Sequence, residues 1–241
     1  MRVGLRLLAL ALLLALCLLP HLLSKALTGR SGVPPVFLGA CAWIIGARVT
    51  TVGEPVRPRT LIAANHVSWL DILILAGATG CRFVSKDDLG SPLVHWLADQ
   101  NNTLYVRRSE RADSRNQADA IAAALDGAQA VTLFPEGTTG PGDRLLPFRS
   151  TLLQAASSAG SDVVVRPVAI DYGAAGTEIS WHDEPAPDNV LRMLGRRGTF
   201  AVIVRLLGPL DRALDRKGLA REAHAVIEAA LGASNPAVTR L

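Results

Sequence analysis

The chain has 241 residues, 49% of them hydrophobic, with 21 glycines, 14 prolines and a net charge of +4 at pH 7. This length and apolar content suit one substantial core with an appendage, and they exclude a largely disordered protein. Seven Lys or Arg residues and a single Glu lie in the first 59 residues, so this segment carries a net charge of +6 and the remainder −2. The basic charge therefore belongs to the N-terminal segment, and we expect no nucleic-acid partner.

The N-terminal segment is also the most hydrophobic part of the chain. Residues 7–19 are an unbroken apolar run, and a second apolar stretch at residues 33–47 follows a basic turn at residues 25–30. A spanning helix needs ~20 apolar residues, so the first run is short for that task. We predict a membrane-associated helical segment over residues 1–50, either a hairpin in one leaflet or a single anchor with its N-terminus inside.

A secretory signal peptide is the alternative for this segment. Arg2 and Arg6 precede the apolar run, and small residues follow it near positions 24–26. Three cysteines, at positions 17, 41 and 81, give no disulfide pattern and favour a reducing compartment. We therefore expect a membrane protein at the cytoplasmic face of the inner or plasma membrane.

The first polar motif lies between a predicted strand at residues 61–64 and a predicted helix at residues 70–76. The chain there reads N-H-V-S-W-L-D, with Asp71 five residues after His66. A histidine serves well as a base when a carboxylate holds one ring nitrogen and the other nitrogen faces the substrate. Five helical residues correspond to about 140°, so we expect His66 in the loop and Asp71 in the first helical turns. Capping by Asn65 and Asp71 around an ordinary loop histidine is the alternative.

Apolar strands alternate with helical stretches along the rest of the chain. This alternation predicts an α/β sandwich with a largely parallel central sheet flanked by helices. Strands are predicted at residues 61–64, 82–85, 103–106, 130–134, 163–169 and 200–206, and helices at residues 70–76, 92–98, 115–125, 149–159 and 218–231. We assign residues 60–231 to this domain and residues 232–241 to a loose tail.

The second polar motif follows the predicted strand at residues 130–134, which Pro135 ends. Residues 136–142 read E-G-T-T-G-P-G, a glycine-rich turn whose amides and hydroxyls are free to contact a ligand. A plain surface turn is the alternative.

Together the two motifs resemble the lysophospholipid acyltransferase family, whose best-known members are the 1-acyl-glycerol-3-phosphate acyltransferases. The resemblance covers about residues 60–170. It includes N-H-x4-D at residues 65–71 and F-P-E-G-T at residues 134–138, and further blocks match in the same order. These blocks are the lysine segment at residues 83–86 with Pro92 and Leu93, the strand ending in arginine at residues 103–108, and the strand with proline at residues 165–169.

The resemblance implies transfer of a fatty acyl group from acyl-CoA or an acyl carrier protein to the free hydroxyl of a lysolipid. His66 would be the base and Asp71 would orient it. Glu136, Gly137 and Thr138 would bind the acceptor. The candidate headgroup cations are Arg108, with Arg107 or Arg149 as substitutes, and Lys86. No metal and no cofactor beyond the acyl donor is implied.

Departures from the family pattern leave the acceptor open. The family often has arginine directly after E-G-T, where this chain has Thr139, and glycine where it has Asn102. The leading expectation is 1-acyl-glycerol-3-phosphate, converted to phosphatidic acid in phospholipid biosynthesis. A lyso-ornithine lipid, which has no phosphate, is the rival acceptor, and the run at residues 146–150 also suits it.

Other classes are less well supported by the sequence. A membrane-anchored lipid-binding protein without turnover would need no His66 and Asp71 pair. A serine hydrolase would need G-x-S-x-G, which does not occur, and the five histidines lack metal-ligand spacing. His182 lies beside two acids but precedes Pro185, and we expect it in a loop.

Overall fold

The computed structural model describes residues 1–86, 90–106, 113–158, 162–211 and 213–233, and in a few of these only the backbone. The helices are α1 (Arg2–Thr28), α2 (Val33–Ile45), α3 (Leu70–Thr79), α4 (Pro92–Gln100), α5 (Asp113–Leu125), α6 (Gln154–Ser158), α7 (Gly176–Ile179), α8 (Ala186–Gly195) and α9 (Arg216–Gly232). The strands are β1 (Ala47–Val52), β2 (Thr60–Ala64), β3 (Arg82–Lys86), β4 (Leu104–Val106), β5 (Val131–Leu133), β6 (Val164–Asp171) and β7 (Phe200–Leu206).

The strands form one seven-stranded sheet in the order β1-β7-β6-β2-β5-β3-β4. Neighbours are parallel except β6 and β7, which pair antiparallel with Val168 opposite Leu206. The predicted α/β architecture with a largely parallel sheet is confirmed. Because β5, β2 and β6 are adjacent and parallel, their carboxyl ends lie at one edge of the sheet, where open α/β folds place their binding sites.

Two apolar cores cover the two faces of the sheet. Successive residues of a strand point to opposite faces, so Ile62 and Ala64 of β2 face one core while Leu61 and Ala63 face the other. The first core includes side chains of α2, α3 and α8, and the second includes side chains of α5 and α9. Every residue of β2 is buried, as expected for a central parallel strand.

The helix α1 is longer than the apolar run that predicted it. It continues through Pro20, whose ring is exposed, and ends at Gly29 in a left-handed conformation with φ of 71°. Among the described residues it is the one helix long and apolar enough to cross a membrane by length and composition, with a mean hydropathy of 2.4 over 18 residues.

Contacts tie α1 to the domain near both of its ends. The Arg6 guanidinium donates to the carbonyls of Met193, Leu194 and Arg196, each at 3.0 Å. Near the other end, Nε2 of His21 lies 3.1 Å from Oε1 of Gln100 in α4. The helix therefore lies along the domain.

Several elements differ from the sequence-based expectations. The helix predicted at residues 149–159 is a 3₁₀ helix at Ser150–Leu153 followed by the short α6, and α7 was not predicted. The edge strand β1 begins within the stretch assigned to the N-terminal segment and ends just after it, and it pairs with β7. The helix α8 was not predicted, because Pro185 and Pro187 indicated a loop. Both prolines instead lie where a helix accepts them, at its N-cap and in its first turn.

Candidate active site

His66 and Asp71 lie in contact at the carboxyl end of β2. Nδ1 of His66 is 2.8 Å from Oδ2 of Asp71. His66 lies in the loop after the strand, whereas Asp71 lies in the first turn of α3, as the spacing predicted. This contact places the Nδ1 proton against the carboxylate, so Nε2 is the nitrogen available to accept a proton.

The Asp71 carboxylate is fully buried and accepts four hydrogen bonds. Besides His66, its Oδ2 accepts from the backbone N–H groups of Val67 at 2.6 Å and Ser68 at 2.9 Å. Its Oδ1 accepts from the hydroxyl of Tyr172, which follows β6. A buried carboxylate needs such donors, and these four fix its position relative to the imidazole.

The imidazole of His66 is also held from its face. Its ring stacks on that of Phe134 with a centroid distance of 3.9 Å and an angle of 12° between the planes. Stacking on one side and the Asp71 bond at Nδ1 leave the ring little freedom to rotate. Among the described residues, no side chain or backbone group hydrogen-bonds its Nε2.

Glu136 connects the two sequence motifs. Its Oε1 accepts from the backbone N–H of His66 at 2.6 Å, and its Oε2 accepts from that of Leu146 at 3.0 Å. The backbone N–H of Gly140 in turn donates to the His66 carbonyl at 2.7 Å. Burial is the main cause that raises the pKa of Glu136 to about 7, and the Asp71 charge adds to it, while the two backbone bonds oppose it. A carboxylate has about four acceptor positions, so Glu136 keeps capacity for a further donor.

Three other predicted residues are found beside Glu136. Gly137 has a φ of 73°, and a Cβ there would lie 3.3 Å from the guanidinium of Arg149. The backbone N–H of Arg149 donates to the Pro135 carbonyl at 2.8 Å, while Thr138 is exposed. The next residue, Thr139, donates its hydroxyl to the Trp181 carbonyl. Arg149 is therefore the predicted cation that the structure brings to the P-E-G-T turn.

The remaining predicted cations are not placed in the site. Lys86 ends β3, where its backbone pairs with that of Val106, and its side chain lies outside the described part. Arg107 and Arg108 lie outside the described residues altogether.

His66 lines a cleft of about 590 Å³. Acidic side chains dominate its charged lining: Asp143, Asp171 and Glu228 join Glu136, and Arg144 is the single Lys or Arg among the described lining residues. Asp171 also pairs with Arg205 at 3.4 Å. Leu145, Ile170 and Leu231 are among the cleft's apolar lining residues. Among the described residues no three His, Cys, Asp or Glu side chains gather as metal ligands.

Sequence reasoning missed Tyr172, Phe134 and the structural role of Asn65. The Asn65 amide donates to the Ile170 carbonyl at 3.0 Å and accepts from its N–H at 2.7 Å, which extends the pairing of β2 with β6. The position of a residue in the sequence could have identified such side chains, since polar residues that follow a central parallel strand face the binding edge of the sheet. Asp171 and Tyr172, at the end of β6, meet that criterion.

The chain is similar to proteins of known function. The chain matches the Acyltransferase family over residues 48–171. It is 38% identical to the lyso-ornithine lipid O-acyltransferase of Pseudomonas aeruginosa, over 80% of this chain and 76% of that one. It is 36% identical to the 1-acyl-sn-glycerol-3-phosphate acyltransferase of Neisseria meningitidis, over 50% of this chain and 48% of that one.

A solved structure has the same fold. The 1-acyl-sn-glycerophosphate acyltransferase of Thermotoga maritima superposes with a TM-score of 0.64 and 21% identity, and the alignment covers both chains completely.

Proposed function

This chain belongs to the Acyltransferase family, and we propose that it moves a fatty acyl group from an acyl thioester to the hydroxyl of a membrane lysolipid. The contact between His66 and Asp71 carries the proposal, because it leaves Nε2 of an oriented imidazole on the cleft.

In the proposed reaction His66 is the general base. The acceptor hydroxyl oxygen attacks the thioester carbonyl carbon while Nε2 takes the hydroxyl proton. The tetrahedral intermediate then collapses, the C–S bond breaks, and the imidazolium returns the proton to the leaving thiolate. Such a base contributes about a hundred- to ten-thousand-fold to the rate. Asp71 keeps the imidazole in the useful tautomer and stabilises its charged form.

The charged lining of the cleft favours an amino-lipid acceptor. An ornithine headgroup carries an ammonium and a carboxylate, whereas glycerol-3-phosphate carries a phosphate. Asp143 and Glu228 suit an ammonium, whereas Asp171 is already paired with Arg205. Arg144, which lies 3.5 Å from Asp143, suits a carboxylate. The hydroxyl of Thr139, which replaces the family's arginine, is bonded to Trp181. We therefore propose a lyso-ornithine lipid as the first acceptor.

The second candidate acceptor is 1-acyl-glycerol-3-phosphate. Arg149 lies against Gly137 in the turn that resembles the family's acceptor-binding motif, and a guanidinium can bind phosphate there. The Neisseria relatives carry this substrate in their name. The acyl donor is either acyl-CoA or an acyl carrier protein, and its thioester reaches the cleft from the cytosol.

We place α1 at the bilayer surface. Leu5, Leu8, Leu12, Leu16, Leu19, Leu23 and Leu27 are exposed and recur every three or four residues, so they form one face, the leucine stripe. The opposite face packs on the domain through Val3 and Leu10. Contacts with the domain near both helix ends favour a helix lying in the cytoplasmic leaflet.

The test is acyl transfer by purified, membrane-reconstituted protein with a labelled acyl thioester and a panel of lysolipids. We expect His66→Ala to lose at least a hundred-fold in turnover because the base is gone. His95→Ala is the matched control, since His95 lies in α4 and stacks on Tyr105.

Wild-type turnover by His66→Ala would contradict the assignment of the base. Transfer to 1-acyl-glycerol-3-phosphate but not to a lyso-ornithine lipid would reverse the order of the two acceptors.

A further inference from the structure

A second cavity lies at the edge of the sheet opposite the catalytic cleft. Its volume is about 510 Å³, and it is enclosed between the turn that joins α1 to α2 and the residues that precede β3 and β5. Glu136, which lines the catalytic cleft, comes after the carboxyl end of β5. Gln129, which lines the second cavity, comes before the amino end of the same strand. The two cavities are therefore separated by the length of the strand, and neither His66 nor Glu136 lines the second one.

The charged lining of this cavity is entirely basic among the described residues. Lys25, Arg30 and Arg82 contribute to it, and no Asp or Glu side chain does. The nearby Asp126 is paired with Arg59 at 2.8 Å. Three cations around one concavity concentrate a positive potential that attracts an anion.

Arg82 contributes a buried donor that lacks a partner within the described part of the chain. This donor is Nε, although another nitrogen of the guanidinium donates to the Ala124 carbonyl. Buried polar groups without a partner are rare because they cost free energy. A ligand that accepts hydrogen bonds from this guanidinium would offset that cost.

The start of α2 adds to the positive potential. Ser31, Gly32 and Pro35 at the beginning of this helix line the cavity. The N-terminal end of a helix carries a partial positive charge that favours bound anions.

The position of the cavity identifies a source for the anion. It opens at the C-terminal end of α1, where Leu22, Leu23 and Leu27 are exposed next to Lys25. Under the membrane placement proposed above, these leucines enter the bilayer and the cavity lies at headgroup level.

We propose that this cavity binds a phosphate group, supplied by an anionic membrane lipid, through Lys25, Arg30 and Arg82. The site is separate from the catalytic cleft and anchors the end of α1 to the headgroup layer. Free phosphate has the same chemistry and is the other possible source.

The first test measures binding of the full-length protein to phosphatidylcholine vesicles with and without phosphatidylglycerol, at physiological ionic strength. The double variant Lys25→Gln, Arg30→Gln should bind phosphatidylglycerol-containing vesicles about ten-fold more weakly. Its binding to pure phosphatidylcholine should be unchanged. Arg57→Gln, Lys217→Gln removes the same charge from exposed positions elsewhere and should bind as the wild type does. Equal losses in the two double variants, or no loss in the first, would overturn the proposal.

The second test separates the two sources of phosphate by hydrogen exchange of residues 21–35. Protection by inorganic phosphate supports the site and shows that it accepts the free ion. Protection by phosphatidylglycerol alone supports the site and assigns it to the lipid headgroup. Protection by neither would overturn it. Acyl transfer to acceptors in detergent micelles should be unaffected in the site variant, which distinguishes this proposal from the catalytic one.

Discussion

The hydroxyl of Tyr172 donates to Asp71 on the oxygen that the imidazole does not contact. Tyr172→Phe keeps the buried ring and removes this donor, so Asp71 retains three hydrogen bonds and becomes freer to rotate. We expect kcat to fall about ten-fold with little change in KM, because the hydroxyl is bonded to the buried Asp71 carboxylate and positions it. Steady-state kinetics with a saturating acyl donor measures this. An unchanged kcat would show that the backbone donors suffice.

Glu136 gives the protein a pH-dependent stability. Its pKa is raised by burial from 4.5 to about 7, so the folded state binds more protons than the unfolded state between these values. Stability contributed at this position is therefore greatest below about pH 4.5 and declines as pH rises towards 7, by at most roughly 3 kcal/mol.

Glu136→Gln should remove this dependence. Chemical denaturation from pH 5 to 8 would measure the difference in unfolding free energy between wild type and variant. The unfolding free energy of the wild type, relative to that of the variant, should fall as the pH rises to about 7. Above that pH the difference should stay constant. A difference that is constant over the whole range would contradict the assignment.

The sequence predicted the contact of His66 with Asp71 because four residues separate them and a helix start fixes their geometry. It did not predict that Glu136 would hold the backbone of His66, since that contact depends on how β5 aligns with β2, seventy residues earlier. Phe134 and Tyr172 were missed for the same reason. Residue types and local spacing identify the reacting groups, but the groups that position them come from neighbouring strands.

The helices α2 and α3 cross at a point where each has a glycine. A Cβ on Gly77 would lie 2.6 Å from the Cα of Gly39, so the two backbones touch. Gly77→Ala should destabilise the protein by about 1–2 kcal/mol, because the clash with backbone outweighs the better helix propensity of alanine. Thermal unfolding measures the effect, and Gly208→Ala, at a site with open space, is the control. Equal melting temperatures for the two variants would contradict this packing argument.

The central strands were predictable because β2, β5 and β6 are buried and apolar, whereas β1 was not. Only its first residue, Ala47, is buried, and the rest is exposed at the sheet edge. Such a strand is defined by pairing with β7 and has no apolar pattern of its own.

The leucine stripe of α1 should control how strongly the whole protein binds membranes. Leu8→Gln, Leu12→Gln, Leu16→Gln keeps helix propensity and removes three exposed apolar side chains, so vesicle association should fall at least about a hundred-fold. Co-sedimentation with phosphatidylcholine vesicles measures this. The triple variant Val49→Gln, Val52→Gln, Leu191→Gln replaces exposed apolar residues elsewhere and should bind normally. Binding of both variants like the wild type would contradict the placement of α1.

The attachment of α1 to the domain near both of its ends would also fix how far the cleft lies from the bilayer. With Arg6 and His21 both bonded to the domain, the proposed placement of α1 would hold the mouth of the cleft at a constant height above the acyl chains. A lysolipid must raise its hydroxyl to that height, and each methylene drawn into water costs about 0.8 kcal/mol. The enzyme would then select acceptors by how deeply their hydroxyl lies in the bilayer, in addition to the charge of the headgroup.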